Sequence, residues 1–171
     1  RLNGMFAIAL WDAKRRELHL IRDRLGIKPL YVARGSFGVA FGSQLASIRR
    51  CPGFESRLDD ASVTEFLSYG YILAPHSIFQ DCWKLPPGSR CVFRSPQHDV
   101  RFDTWWDAPS VLQQARSAGD ITDEVEAIVR IESALKRAVK RRLVSDVPLG
   151  AFLSGGVDSS AVVALMQELN G

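Results

Sequence analysis

A short segment rich in glycine and serine has the residue types that bind a phosphate or pyrophosphate group. Gly155 and Gly156 lack side chains, so an anion can approach the backbone and a positive φ costs little. The helix predicted after them would present free N–H groups and the positive end of its dipole to that anion. Hydroxyl donors flank the glycines, and together these groups would form an anion cradle. The hydroxyl donors are Ser154, Ser159 and Ser160.

Asp158 lies inside this predicted cradle, where a carboxylate alone would repel a phosphate. A divalent cation would join the two groups, and Mg2+ commonly binds through one or two carboxylates together with substrate phosphates. We therefore expect Asp158 to be a Mg2+ ligand; the alternative is that it caps the following helix. The segment lacks the Gly-Lys-Ser/Thr ending of a Walker-type P-loop and the G-x-G-x-x-G spacing of a dinucleotide-binding loop.

The sequence around the loop predicts the elements that would position it. Residues 150–153 are an uninterrupted apolar run, typical of a buried strand in a parallel sheet, and residues 161–169 favour a helix. Strand, glycine loop and helix make half of a βαβ unit. Further upstream, Asp120 or Thr122 would open a long helix in a region that ends at Pro148. The apolar stripe of that helix consists of Ile128, Ile131, Leu135, Val139 and Leu143.

The first part of the chain is instead predicted to be rich in β-hairpins, which indicates an α+β layer rather than a wound parallel sheet. Apolar runs bounded by polar turns predict strands at residues 5–11, 17–22, 31–33, 38–42, 90–94 and 100–102, with a turn at 96–98. A helix is predicted over residues 61–69, capped by Asp59 or Asp60. The apolar face of that helix consists of Val63, Phe66 and Leu67.

Composition and charge exclude several classes of protein. The 171 residues are 46% hydrophobic and 24% charged, which argues against wholesale disorder, and the apolar runs are too short for a membrane-spanning helix. The net charge of +3 is too small to require a nucleic-acid or membrane partner. The three cysteines, Cys51, Cys82 and Cys91, have no C-x-x-C spacing. We therefore expect free thiols in a reducing cytoplasm rather than disulfides or a zinc site.

Motifs along nearly the whole chain resemble, in order, those of one enzyme family. Residues 154–160 are similar to the pyrophosphate-binding PP-loop of ATP pyrophosphatases, and residues 145–150 to the segment that precedes it in the family. Residues 2–12 and 22–31 resemble the second half of a class II glutamine amidotransferase domain. Shorter matches occur at residues 69–71 and 84–88. The family with this set of motifs is glutamine-hydrolysing asparagine synthase.

The resemblance implies a fold and a reaction with two sites. The fold would be the α+β part of an Ntn-hydrolase-type amidotransferase domain, followed by the first βα unit of an α/β PP-loop domain. The amidotransferase domain of the family releases ammonia from glutamine, with an N-terminal cysteine as nucleophile. The synthetase domain activates aspartate with Mg-ATP to β-aspartyl-AMP and pyrophosphate, and ammonia from an internal tunnel displaces AMP to give asparagine. ATP and Mg2+ are the cofactors implied, aspartate and glutamine the other substrates, with no nucleic-acid or membrane partner.

The resemblance also implies domain limits and nucleotide-binding residues. We expect part of the amidotransferase domain at residues 1–108, a linker at 109–119 and part of the synthetase domain at 120–171. The nucleophile would lie upstream of Arg1 and the later synthetase residues beyond Gly171, so this segment alone is expected to be inactive within a homodimeric, cytoplasmic parent. The residues implied to bind ATP or pyrophosphate are Phe152, Ser154, Gly155, Gly156, Val157, Asp158, Ser159 and Ser160, with Asp158 also binding the metal.

Two other functions stay open from the sequence. A related PP-loop enzyme could use the same scaffold to close a β-lactam or a lasso-peptide ring. A non-catalytic anion- or nucleic-acid-binding module is the other alternative, but the chain lacks the basic and aromatic platform of such modules. One position departs from the family: Gln44 stands where a Glu is usual, with no consequence that we can assign.

Other polar and aromatic groups are interpreted as structural. Residues 22–24 and Lys28 are typical of a turn held by side chain–backbone hydrogen bonds rather than of a substrate site. Trp105 and Trp106 are predicted to pack at the domain junction. Glu126 and Glu132 interleave with a basic helix face, which indicates a solvated surface rather than a binding patch. That basic face consists of Arg137, Lys140, Arg141 and Arg142.

Overall fold

The structure is a computed structural model that describes residues 2–94, 100–117 and 119–170. The chain divides into two compact units, Arg1–Gln114 and Ala115–Gly171, each of which is described by itself. The fold is mixed α and β, and every strand pairing in the described residues is antiparallel.

The first unit contains two antiparallel sheets and two complete helices. Its strands are β1 (Ala7–Asp12), β2 (Glu17–Arg22), β3 (Tyr31–Gly35), β4 (Gly38–Gly42), β5 (Cys82–Lys84), β6 (Ser89–Phe93) and β7 (Asp103–Thr104). Its helices are α1 (Leu45–Ile48) and α2 (Asp60–Tyr69). The strand order is β1-β2-β6-β7 in one sheet and β4-β3-β5 in the other.

Both predicted hairpins are confirmed. In the first, Ala7 pairs with Arg22 and Asp12 with Glu17, so β1 and β2 are joined without a register shift. The turn forms because the Asp12 carboxylate accepts hydrogen bonds from the N–H groups of Lys14 (2.9 Å) and Arg15 (3.0 Å). The second hairpin joins β3 and β4, with Gly35 paired to Gly38.

The buried residues of the first unit form two clusters. The larger consists of Leu20, Leu30, Val32, Leu85, Cys91 and Phe93, and the smaller of Ala33, Ile48 and Cys82. Leu20 and Cys91 face each other across β2 and β6, and both are fully buried. The strand predicted at residues 100–102 is wrong, because pairing with β6 begins only at Asp103. The turn predicted at residues 96–98 lies outside the described residues.

The predicted cap of α2 is confirmed, but its predicted buried face is not. The Asp59 side chain accepts a hydrogen bond from the Ser62 N–H at 2.9 Å, and Gly70 ends the helix in the left-handed conformation. Phe66 and Leu67 are exposed, while Ser62 is buried. No other helix or strand of the described residues packs against α2, so Phe66 and Leu67 remain exposed and Val63 is only half-buried.

A third helix, α3 (Ala108–Ser117), occupies most of the segment that we expected to be a linker. The Asp107 carboxylate accepts a hydrogen bond from the Ser110 N–H at 2.9 Å, and Pro109 lies in the first turn, where a missing N–H costs nothing. The division between the two compact units falls inside this helix, after Gln114.

The second unit holds two longer helices, α4 (Glu124–Lys140) and α5 (Val157–Asn170). α4 is capped by Asp123, whose carboxylate accepts a bond from the Glu126 N–H at 3.1 Å, so it begins slightly later than predicted. Of its predicted apolar stripe only Val139 is buried. No helix of the described residues is long and apolar enough to cross a membrane.

The strand predicted at residues 150–153 is wrong. This segment is irregular, Phe152 is fully exposed and Leu153 is 63% exposed. A strand needs a neighbour to satisfy its N–H and C=O groups, and the described residues of the second unit contain no strand. The apolar run therefore predicts a buried strand, whereas these residues are irregular and exposed in the structure.

Candidate functional site

The segment 154–160, called the glycine loop below, leads directly into the first turn of α5. Gly155 has a φ of +80°, in the left-handed region that glycine tolerates, and an added Cβ there would meet no atom within 4 Å. The Ser160 N–H donates to the Gly156 carbonyl at 3.1 Å, which closes the first turn of the helix. The first N–H groups of α5 have no hydrogen-bond partner within the helix, so they are available to an anion.

Three hydroxyl groups converge on the start of this helix. Ser154 Oγ and Ser159 Oγ share a hydrogen bond of 3.0 Å. Ser159 Oγ and Ser160 Oγ both donate to the Gly156 carbonyl, at 3.0 and 2.8 Å. The hydroxyl groups lie on the surface, so each can rotate from its partner in the loop toward a bound anion.

The structure brings most of the predicted binding residues together. Ser154, Gly156, Ser159 and Ser160 form one hydrogen-bond network. Asp158 lies in the first turn of α5, where the positive end of the helix dipole stabilises a carboxylate. Phe152 and Val157 are exposed and contribute no hydrogen bond to that network.

The residues present fit a Mg2+ ion held mainly by phosphate oxygens. No group of three or more His, Cys, Asp or Glu side chains suited to a metal occurs in the described part of the chain. Asp158 is exposed beside an open glycine turn, so it offers one carboxylate next to the anion cradle. This donor set matches the way Mg2+ binds with nucleotide phosphates rather than in a protein cage.

The interpretation of residues 22–24 as structural agrees with their contacts. The Asp23 carboxylate, 1% exposed, accepts the backbone N–H groups of Phe6, Leu25, Ile27 and Lys28 at 3.0 to 3.2 Å. Burial raises the pKa of Asp23, but these hydrogen bonds lower it by more, so the net pKa lies below its ordinary value. The Arg22 guanidinium donates to the carbonyls of Gly26, Lys28 and Leu85. Both side chains therefore hydrogen-bond to the backbone, which indicates a structural role.

Two of the three cysteines are buried and poorly suited to act as nucleophiles. Cys91 is fully buried, and burial raises its pKa to about 11. Burial also raises the pKa of Cys82. A thiol attacks as its thiolate, which both environments suppress. All three cysteines, including the half-buried Cys51, are free thiols, as predicted.

Trp105 packs inside the first unit. Its ring stacks on Phe6 with centroids 6.3 Å apart, and the Arg24 guanidinium lies 5.6 Å above the ring centroid. The sequence interpretation missed the residue that anchors this segment, Gly88, whose carbonyl accepts the N–H groups of Trp105 and Trp106 at 2.9 and 3.1 Å. The signal was its position after two prolines, where a positive φ requires glycine.

Glu126 and Glu132 of α4 each form an ion pair with a basic residue of the same helix. Arg130 lies 2.5 Å from Glu126, and Lys136 lies 2.8 Å from Glu132, each one turn apart. These ion pairs neutralise charge on the helix surface. The four residues of the predicted basic face are all exposed, as expected of a solvated surface.

Two family patterns match the chain. The pattern described as "Glutamine amidotransferase domain" matches residues 1–106, and the pattern described as "Asparagine synthase" matches residues 130–171. The second match contains the whole glycine loop and α5 up to the last residue of the chain.

Curated relatives cover nearly all of this chain. "Asparagine synthetase (glutamine-hydrolyzing) 3" of Bacillus subtilis is 36% identical over 96% of this chain and 25% of its own length. "Asparagine synthetase (glutamine-hydrolyzing) 1" of the same organism is 31% identical over 99% of this chain and 26% of its own length. "Amidase chry2" of Gibberella zeae is 29% identical over 98% and 24%, respectively.

The chain thus spans about a quarter of the length of these relatives. The amidotransferase pattern alone covers more than half of the 171 residues, and the synthase pattern follows it along the chain. Both patterns agree with the names of the Bacillus relatives. The chain belongs to the glutamine amidotransferase domain family over residues 1–106, and its residues 130–171 match the asparagine synthase family.

Proposed function

We propose that the protein takes part in ATP-dependent asparagine synthesis. Aspartate, glutamine, ATP and water would give asparagine, glutamate, AMP and pyrophosphate, through a β-aspartyl-AMP intermediate. The segment matched by the amidotransferase pattern would belong to an Ntn-hydrolase-type domain that supplies ammonia. The segment that carries the glycine loop would belong to a PP-loop domain that activates the carboxylate.

The geometry of the glycine loop is the observation that carries this proposal. Its glycine turn is open, three hydroxyl groups meet at its helix end, and the helix that follows has fourteen residues. A pyrophosphate leaving group would accept hydrogen bonds from the first N–H groups of α5 and from the serine hydroxyls. Binding it there would stabilise the charge that develops as AMP transfer breaks the bond to pyrophosphate.

Asp158 is the residue that would hold Mg2+ beside those phosphates. Bound Mg2+ would neutralise phosphate charge and so favour release of pyrophosphate. The carboxylate of Asp158, in the first turn of α5, would orient the ion toward the open glycine turn. ATP and Mg2+ are thus the cofactors that we propose.

Two of the three cysteines of this chain are poorly suited to the proposed glutamine hydrolysis. Cys82 and Cys91 are buried at 3% and 0% exposure, and their raised pKa values disfavour thiolates. Glutamine could not reach either sulfur without opening the core. The proposed nucleophile is the N-terminal cysteine of the class II mechanism, whose own α-amino group acts as the base.

Product analysis tests the proposed reaction. The natural protein that contains this sequence should convert aspartate and glutamine to asparagine and glutamate, with one AMP and one pyrophosphate formed per asparagine. Ammonium should replace glutamine as nitrogen donor. ADP and phosphate as products would contradict the proposed adenylate chemistry. AMP and pyrophosphate formation that does not depend on aspartate would instead favour a related enzyme that forms a different amide.

A further inference from the structure

Lys136 links the two long helices of the second unit through a three-residue ion-pair cluster. Its Nζ lies 2.7 Å from Glu168 Oε1 on α5 and 2.8 Å from Glu132 Oε1 one turn earlier on α4. The Lys136 side chain is 31% exposed, and the two glutamates are 54% and 56% exposed. Hydrogen bonds to Glu132 and Glu168 raise the pKa of Lys136 to about 12, so the ammonium stays charged at neutral pH.

Little buried apolar surface holds α5 in place within this unit. α5 itself has no buried residue, and on α4 only Val139 is buried. Four apolar residues of α5 are half-buried, namely Val163, Leu165, Met166 and Leu169, while Val162 is 42% exposed. The ion pair between Lys136 and Glu168 therefore adds a directional contact between two helices that bury little apolar surface completely.

The same helix carries the glycine loop at its other end. α5 begins at Val157, immediately after the loop glycines, and Glu168 follows eleven residues later, about 16 Å along the helix axis. A helix moves largely as a rigid rod, so a shift at Glu168 changes where the loop presents its N–H groups. We infer that Lys136, acting through Glu168, is a positioning residue for the glycine loop; this inference rests on the proposed function.

The two glutamates provide a matched pair of variants. Glu168→Lys replaces the attraction across α4 and α5 by repulsion, whereas Glu132→Lys makes the same charge change within α4 alone. Both variants have the same net charge. Each adds positive charge to the protein, which favours anion binding at long range, so a loss of binding in Glu168→Lys cannot come from the general electrostatic field.

The experiment measures binding of magnesium pyrophosphate to the natural protein that contains this sequence, together with KM for ATP and kcat. Glu168→Lys should weaken pyrophosphate binding and raise KM by about two- to five-fold, the range of a partly exposed ion pair, with little change in kcat. Glu132→Lys should stay within about two-fold of the unsubstituted protein. The double variant Lys136→Glu with Glu168→Lys should restore binding, because it re-forms the pair between the helices.

The salt dependence of pyrophosphate binding gives a second readout, because a role in packing alone would not depend on salt in this way. At about 1 M salt the Debye length falls to about 3 Å, so the difference between Glu168→Lys and the unsubstituted protein should shrink. Equal binding by these two proteins at low salt, or equal losses in both glutamate variants, would overturn the role of Lys136. Absence of pyrophosphate binding by the unsubstituted protein would instead overturn the proposed function of the loop, and the positioning role with it.

Discussion

At the residue scale, the side chains with the strongest contacts serve the fold, and those of the candidate site stay exposed. Asp23 is nearly inaccessible and bound to four backbone N–H groups, whereas Asp158 lies on the surface beside an open turn. This contrast separates a structural carboxylate from a ligand-binding one. It could be predicted in part, because Asp23 lies in a turn-forming motif and Asp158 in a glycine loop.

Replacing Asp23 by Asn should lower the free energy of unfolding by about 2 to 3 kcal/mol, because an NH2 group would face backbone donors that now have an acceptor. The folded pKa of Asp23 is depressed below the unfolded value of about 3.9. Its contribution is therefore fully present above that value and is lost as pH falls through the folded pKa. Denaturant unfolding from pH 7 to pH 3 should show a shallower acid loss for Asp23→Asn.

The exposed Asp103 provides the control for this experiment. Its ion pair with Arg90, at 3.3 Å, lies on the surface, so Asp103→Asn should cost less than about 1 kcal/mol at neutral pH. An Asp23→Asn variant as stable as the Asp103→Asn variant would show that the buried hydrogen bonds contribute nothing.

The cysteines should react with a thiol reagent in an order set by burial and ionisation. At pH 8, a thiol with a pKa of about 11 is thiolate in about one molecule in a thousand, so Cys91 should be the slowest in the folded protein. The half-buried Cys51 should react first. Ellman's reagent should therefore label Cys51 quickly, and Cys82 and Cys91 only in denaturant. Fast labelling of Cys91 in the folded state would contradict the buried strand β6.

At the scale of elements, local signals predict helices and hairpins better than they predict burial. The Asp59 cap and the polar turn after Asp12 act within a few residues, so they can be seen in the sequence. The start of α3 had such a signal in Asp107 and Pro109, which the lack of apolar periodicity obscured. The strand expected at residues 150–153 depends on a neighbouring strand, which no local pattern can supply.

Gly88 joins distant elements, and a side chain there should be costly. A Cβ at Gly88 would lie 2.0 Å from the Trp106 carbonyl oxygen, and its φ is +60°. Gly70 provides a matched control, with a φ of +77° but no atom within 4 Å of an added Cβ. We expect Gly70→Ala to lose about 1 kcal/mol of unfolding free energy from strain alone, and Gly88→Ala about 3 kcal/mol or more. Equal losses of unfolding free energy in the two variants, measured by denaturant titration, would show that the structure relaxes around the contact with Trp106 without an energetic penalty.

At the scale of the whole molecule, the order of motifs carried more information than any one of them. The glycine loop alone predicts an anion site, while the hairpins and the turn around Asp23 alone predict a small α+β unit. Their order along one chain indicated the family that the comparisons then gave. The turn at Gly88 has a local signal, but its contacts with the Trp105 segment and the link between α4 and α5 could not be predicted, because they join residues far apart in sequence.

Binding of the pyrophosphate of ATP by the glycine loop can be tested by one substitution that should leave the fold undisturbed. A Cβ at Gly156 would lie 3.5 Å from Ser154 Oγ and 3.9 Å from Ser159 Oγ, which are ordinary contacts. Gly156→Val should therefore fold normally while placing bulk where phosphate must approach the backbone. Gly150→Val is the matched control, since an added Cβ there meets no atom within 4 Å and lies outside the loop.

The deciding measurement is aspartate-dependent exchange of labelled pyrophosphate into ATP by the natural protein that contains this sequence. Gly156→Val should abolish exchange with an unchanged melting temperature, while Gly150→Val should retain exchange. Asp158→Asn, which keeps the side-chain volume but removes the charge, should lose exchange in the same assay at all Mg2+ concentrations. Exchange at the unsubstituted rate in a folded Gly156→Val variant would contradict the claim that this loop holds pyrophosphate.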